Sequence, residues 1–176
     1  MEWTAPPASS AGGKGSGREN RRRLGCREPR VISYLDASAL VKRYLVERGS
    51  RETIALTAQS ELIATSIITR AEVSAAFAKA ARAGLVSQER ARRAQGSFAG
   101  DWPDLVRVPV TEALVERAET LAWQHGLRGY DAVQLASALS WQESVGAEVV
   151  LATFDEQLWE AGPKAGVKAW PEKLRA

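Results

Sequence analysis

The sequence is poor in the residues that bind soft metals or act as nucleophiles. Among 176 residues there is one cysteine, Cys26, and one histidine, His125. A single cysteine excludes an internal disulfide, and together the two residues are too few for a zinc site built from cysteine and histidine. The single histidine also excludes acid–base catalysis by two histidines. Other side chains are therefore the first candidates for any chemistry.

Long hydrophobic runs are also absent. No stretch approaches the roughly 18 consecutive apolar residues of a membrane span, and no apolar segment near the N-terminus has the form of a signal peptide. With 45% hydrophobic residues in 19.1 kDa, the chain has enough apolar material for one domain with a sizeable core. We therefore expect a cytoplasmic protein with no membrane association.

The net charge of +3 is unevenly distributed. Residues 1–30 contain seven Lys or Arg and three Asp or Glu, which leaves 17 basic and 18 acidic residues in the rest of the chain. This first segment is rich in Pro, Gly, Ser and Ala and has no apolar periodicity. We predict a disordered basic tail over residues 1–30, which is either a nucleic-acid contact arm or a solvated extension, and a folded domain over residues 31–176.

Short apolar runs alternate with helical patterns along the folded part. The runs predict five strands, and the patterns between them have the 3.6-residue periodicity of helices. This alternation predicts an α/β fold with a mostly parallel sheet and helices on both faces. The predicted strands lie near residues 31–35, 62–66, 105–110, 148–152 and 167–170. The predicted helices begin near residues 38, 50, 69, 87, 111 and 129, and a short last one ends at residue 161.

Four acids occupy strand ends or the first turns of helices. Asp36 and Asp155 follow strands, and either could be a helix N-cap. Glu72 completes a Thr69-x-x-Glu72 capping box, and Asp131 could simply stabilise a helix dipole. Each position therefore has a structural explanation when it is considered alone.

The four acids together favour a metal site. Two carboxylates about 4 Å apart at the protein surface repel each other by roughly 4 kcal/mol, and no cation in the sequence is placed to neutralise them; the nearest are Arg70 and Arg128. An all-oxygen cluster suits Mg²⁺, for which Mn²⁺ could substitute. A water molecule activated by such a metal could attack a phosphodiester.

These residues resemble the PIN-domain nucleases, and in particular the VapC-type toxin ribonucleases of toxin–antitoxin pairs. The similarity spans residues 31–170. It is carried by four short motifs in a characteristic order: Asp36-Ala37-Ser38-Ala39-Leu40 after the first strand, the helix with Glu72, the segment 127–136 containing Gly129-Tyr130-Asp131-Ala132, and Thr153-Phe154-Asp155.

The resemblance implies a three-layer fold with a five-stranded parallel sheet in the order 3-2-1-4-5. In that order Asp36 and Asp155 lie on either side of the topological switch. It also implies a Mg²⁺-dependent endoribonuclease that acts on RNA, forms a homodimer and is silenced by a cognate antitoxin. The implied metal-binding and catalytic residues are Asp36, Glu72, Asp131 and Asp155, with Ser38 and Thr153 in supporting positions. We also predict that Arg128 contacts the substrate.

Three alternatives remain open at this point. The protein could be a housekeeping PIN-type RNA-processing nuclease, or a PIN-like module that binds RNA or protein without catalysis. Haloacid-dehalogenase-like phosphatases also place an aspartate after the first strand. They require a second acid two residues later, where this chain has Ser38.

Overall fold

The structure is a computed structural model that describes residues 31–174. Within this range five strands and seven α-helices alternate along the chain, as the sequence predicts. The predicted tail over residues 1–30 lies outside the described residues, so its disorder and the domain boundary stay predictions. The strands are β1 (Val31–Leu35), β2 (Ser60–Ser66), β3 (Val106–Val108), β4 (Val149–Ala152) and β5 (Lys168–Trp170). The helices are α1 (Ala37–Tyr44), α2 (Ser50–Gln59), α3 (Thr69–Arg82), α4 (Gln88–Asp101), α5 (Glu112–His125), α6 (Gly129–Val145) and α7 (Glu156–Ala165).

The sheet has the order β3-β2-β1-β4-β5, and each pair of neighbouring strands is parallel. The predicted order 3-2-1-4-5 is therefore confirmed. Strand β1 lies at the centre, where the chain turns from one half of the sheet to the other. Ligands bind at the carboxyl ends of the strands on either side of such a switch.

The alternating side chains of the strands build two cores, one on each face of the sheet. Tyr34 and Leu151 belong to the core beneath helices α5, α6 and α7. Leu35 and Ala152, the next residues along, belong to the core beneath helices α1 to α4. Because successive side chains of a strand point to opposite faces, each central strand contributes to both layers. The predicted three-layer α/β architecture is confirmed.

Helix α7 differs from its prediction, because it continues past Ala161 and through Pro163 to Ala165. Gly162 lies where α7 approaches the sheet: a Cβ atom at this position would be 3.3 Å from Leu151 Cδ2. The glycine thus permits close packing and does not end the helix. The end comes at Gly166, which adopts φ +97° as the C-cap.

Candidate active site

The carboxylate of Asp36 lies at the end of the central strand and is held by several donors at once. It caps helix α1 by accepting a hydrogen bond from the Ala39 N–H at 2.9 Å. The Ser38 hydroxyl donates to Oδ1 at 2.8 Å, and the Thr153 hydroxyl donates to Oδ2 at 3.0 Å. The predicted cap at Asp36 is therefore present, but it uses only part of the hydrogen-bonding capacity of the carboxylate.

Asp36 is only 5% exposed, and its environment disfavours charge. Burial raises its pKa to about 7, against the opposing effect of the hydrogen bonds from Ala39, Ser38 and Thr153, and the charge of Glu72 raises it further. No salt bridge among the described residues involves Asp36. An aspartate whose pKa is displaced this far is a candidate for a functional role.

Ser38 and Thr153 connect the ends of strands β1 and β4. The Ser38 hydroxyl accepts a hydrogen bond from the Phe154 N–H at 2.7 Å, and the Thr153 hydroxyl accepts one from the Asp155 N–H at 3.1 Å. Each hydroxyl thus donates to Asp36 and accepts from the segment that carries Asp155. The two residues fix the position of the Asp155 backbone relative to the central acid.

Phe154 anchors this segment against the rest of the fold. Its ring packs edge-on against Trp170, and the Lys42 Nζ lies 4.3 Å from the ring centre. The ring also lies directly over Gly49, which has φ +89°. A Cβ atom on Gly49 would be 2.6 Å from Phe154 Cε1.

We expect Gly49→Ala to destabilise the protein by about 2 kcal/mol, because the substitution combines left-handed backbone strain with a clash against the Phe154 ring. Gly84→Ala is the matched control. Gly84 has φ +71°, but a Cβ atom there would meet no atom within 4 Å, so only the backbone cost of about 1 kcal/mol applies. Denaturant unfolding measures both variants. Equal losses in the free energy of unfolding of the two variants would show that the Phe154 ring moves to accommodate the added methyl group.

Glu72 is not part of a capping box. The N-cap of α3 is Ile68, without a side-chain cap, and the Glu72 carboxylate instead accepts a hydrogen bond from Gln134 Nε2 at 2.6 Å. Burial raises the pKa of Glu72, and the charge of Asp131 raises it further against the hydrogen bond from Gln134. The capping interpretation from the sequence was therefore wrong, and the side chain faces the other acids.

Asp131 and Asp155 share one arginine. Arg128 Nε donates to Asp131 Oδ2 at 2.8 Å, and Arg128 Nη2 donates to Asp155 Oδ2 at 2.7 Å. Burial raises the pKa of Asp131 despite the Arg128 contact, and the charge of Asp155 adds to the rise. The expectation that no cation is placed to neutralise the acids was therefore wrong: Arg128 bridges two of them. Asp155 is also the N-cap of α7, as predicted, through the Leu158 N–H.

The negative charge of each acid affects the pKa of the next one along the site. Asp36 is raised in pKa by Glu72, Glu72 by Asp131 and Asp131 by Asp155, in each case after the larger effect of burial. As the side chains stand, no three histidine, cysteine, aspartate or glutamate residues between positions 31 and 174 are arranged to hold a metal ion. The oxygens of the four acids instead accept hydrogen bonds from hydroxyls, an amide and a guanidinium. A cation bound by Asp131 and Asp155 would compete with Arg128 for their Oδ2 atoms.

The donor set nevertheless fits a hard divalent cation. All four acids offer oxygen ligands, which Mg²⁺ and Mn²⁺ prefer. The Arg128 guanidinium already lies between two of the carboxylates as a positive stand-in, with 69% of its side chain exposed. Because it is exposed, the guanidinium can leave without disturbing the core.

Two buried residues at this site were missed in the sequence. Tyr34 and Gln134 are 100 positions apart and are joined by a hydrogen bond of 2.6 Å. Gln134 is the buried amide in a helix whose other buried positions are apolar or small, and it follows Asp131 by one turn. A polar residue on the buried side of α6 is the signal that could have identified it.

Comparisons with known proteins identify the family of the chain. The PIN domain family model matches residues 33–162, so the chain belongs to the PIN-domain family. Ribonuclease VapC45 and ribonuclease VapC49, from two strains of Mycobacterium tuberculosis, are each 35% identical to it over 144 residues, which is 81% of this chain and 97% of the relative. The resemblance to VapC-type ribonucleases is thereby confirmed.

Solved structures give the same fold. The PAE2754 protein of Pyrobaculum aerophilum has a TM-score of 0.55 at 24% identity, over 79% of this chain and 89% of that one. VapC20 of Mycobacterium tuberculosis, described as a sarcin–ricin loop cleaving toxin, has a TM-score of 0.55 at 17% identity. The match covers 77% of this chain and 95% of that one. Within residues 31–174, no helix is long and apolar enough to cross a bilayer.

Proposed function

We propose that this protein is a divalent-metal-dependent endoribonuclease, the toxin of a toxin–antitoxin pair. The observation that carries the proposal is the row of coupled acids at the carboxyl edge of a PIN-domain sheet. The similarity to ribonucleases VapC45 and VapC49 over most of both chains supports RNA as the substrate class. A haloacid-dehalogenase-like phosphatase is not supported, since Ser38 serves Asp36 as a hydrogen-bond donor.

Asp36, Glu72, Asp131 and Asp155 are the proposed metal-binding and catalytic residues. A bound Mg²⁺ or Mn²⁺ would supply positive charge to the phosphodiester and lower the pKa of a water molecule beside it. The chain itself supplies orientation: Ser38 and Thr153 hold both oxygens of Asp36, and Gln134 holds one oxygen of Glu72. These contacts orient the Asp36 and Glu72 carboxylates before any ligand arrives.

Arg128 is the proposed substrate contact. If Asp131 and Asp155 held a cation, the exposed guanidinium would be free to contact an RNA phosphate, for which its paired N–H groups are suited. The same geometry suits inhibition. A basic side chain of a cognate antitoxin could bind the acids as Arg128 does, and the protein would pair with itself as well as with the antitoxin.

Purified protein should cleave structured RNA with Mg²⁺ or Mn²⁺ and lose all cleavage in excess EDTA, because the proposed mechanism draws its activated water from a metal held by the acids. Gel analysis of a labelled RNA measures this. The matched control is Asp131→Asn, purified identically, which should be inactive and so exposes any contaminating nuclease.

Cleavage that persists in EDTA with the parent and not with the control would overturn metal dependence. Cleavage without growth arrest on expression would instead favour a housekeeping RNA-processing nuclease. RNA binding without cleavage would favour a non-catalytic module.

A further inference from the structure

A chain of buried hydrogen bonds runs from the centre of the sheet to Glu72. Tyr34 is fully buried on β1, and its O–H donates to Gln134 Oε1 at 2.6 Å. Gln134 Nε2 then donates to Glu72 Oε2 at 2.6 Å and to Thr69 Oγ1 at 2.9 Å. The amide of Gln134 is thus held at three points, and only 2% of the residue is exposed.

Only one orientation of the amide satisfies these neighbours. Turned by 180°, Gln134 would place its carbonyl oxygen against the Glu72 carboxylate, with no proton between two acceptors. The Tyr34 O–H donates to Oε1 at 2.6 Å. This hydrogen bond favours the orientation in which the N–H groups of Gln134 face Glu72.

The contact also links two acid-bearing helices. Gln134 lies one turn after Asp131 on α6, whereas Glu72 lies in the first turn of α3. With Oε2 held by the amide, the rotation of the Glu72 side chain is fixed, and Oε1 is the oxygen left for a ligand. Partners that orient ligating carboxylates in this way commonly change metal affinity by 10- to 100-fold when they are removed.

We infer that Gln134, oriented by the buried hydroxyl of Tyr34, is a positioning residue that sets the Glu72 carboxylate for metal binding. The inference rests on the proposed function and assigns to two buried residues a role beyond stability. A purely structural glutamine would tie α6 to α3 and β1 without affecting metal affinity.

Mn²⁺ binding to the metal-free protein, measured by calorimetry, separates the two roles. Gln134→Met, which keeps the length of the side chain and removes the donors, should weaken Mn²⁺ binding about tenfold. Tyr34→Phe should weaken it by a smaller factor, about threefold, since the amide remains but is no longer directed. In both variants the turnover number at saturating Mn²⁺ should also fall, whereas the KM for RNA should be unchanged. Adding Tyr34→Phe to Gln134→Met should weaken binding no further, since Tyr34 acts only through the amide.

The matched control is Ser33→Ala. Ser33 is the fully buried neighbour of Tyr34 on β1, and its hydroxyl bonds to Ser60 Oγ at 2.7 Å, with no acid involved. This variant should lower the melting temperature and leave Mn²⁺ affinity within about twofold of the parent.

Parent-like Mn²⁺ affinity in both Gln134→Met and Tyr34→Phe, with a parent that binds and cleaves, would overturn this inference alone. A parent that binds no Mn²⁺ would overturn the proposed function and the inference with it. If Gln134→Met does not fold, Tyr34→Phe compared with Ser33→Ala decides the question by itself.

Discussion

Asp36→Asn is expected to abolish RNA cleavage and, in metal-free buffer above pH 7, to stabilise the fold. Asparagine caps a helix about as well as aspartate, so the bond from the Ala39 N–H is kept. The ionised carboxylate, in contrast, is buried without an ion-pair partner among the described residues. A rise in its pKa from 3.8 to about 7 corresponds to about 4 kcal/mol of destabilisation when the group is charged. Asparagine should recover about 2 kcal/mol of this, since the Thr153 hydroxyl, which donates to Oδ2, must turn to accept a hydrogen bond from the amide that replaces it.

The pH dependence of stability gives the sign of this effect. Between about pH 4 and pH 7 the folded protein keeps a proton on Asp36 that the unfolded chain has lost. The stability of the metal-free parent should therefore fall as the pH rises through this window and level off above it. The Asp36→Asn variant should lose the part of this slope that comes from Asp36. A slope of the same sign should remain, because burial also raises the pKa values of Glu72 and Asp131.

Denaturant unfolding at several pH values, together with the RNA cleavage assay, measures both effects. Asp104→Asn makes the same chemical change at an exposed acid of the short 3₁₀ helix Trp102–Asp104, and it should change stability by less than about 0.5 kcal/mol and leave cleavage intact. Parent-like cleavage by Asp36→Asn would refute the metal-site assignment, whatever the stability result.

The fold could be predicted from the sequence because its determinants are local. Short apolar runs such as residues 149–152 form buried strands, and glycine ends helix α5 at Gly126, where φ is +66°. The alternation of strands and helices then leaves few topologies. The end of α7 was missed because Gly162 and Pro163 resemble a stop signal, whereas the sheet surface accommodates the helix.

The candidate site was predictable only as a set of acids, and the contacts that orient them were not. The bridge from Arg128 to Asp155 spans 27 positions, and the bond from Thr153 to Asp36 spans 117. No periodicity or spacing encodes such distances. At Glu72 a local motif was misleading. The sequence contains a capping pattern, but the side chain accepts a hydrogen bond from Gln134 on another helix.

Arg128→Gln is expected to have opposite effects on metal binding and on catalysis. In the free protein the guanidinium donates to Oδ2 of both Asp131 and Asp155, so a cation bound by these carboxylates competes with a positive charge that is already beside them. Without this competing charge, Mn²⁺ should bind about tenfold more tightly. Cleavage at saturating metal should nevertheless fall on the order of a hundredfold, because the cation proposed to contact the RNA phosphate is lost.

Arg117→Gln is the matched control for this change. Arg117 also makes two hydrogen bonds to a carboxylate, both at 2.7 Å to Glu143, but it joins α5 to α6 away from the acids. Its loss should change neither Mn²⁺ affinity nor cleavage. Calorimetry of the metal-free proteins and single-turnover cleavage separate the two roles of Arg128. Unchanged Mn²⁺ affinity in Arg128→Gln would show that the guanidinium does not compete with the metal, whereas a parent-like rate would exclude Arg128 as the phosphate contact.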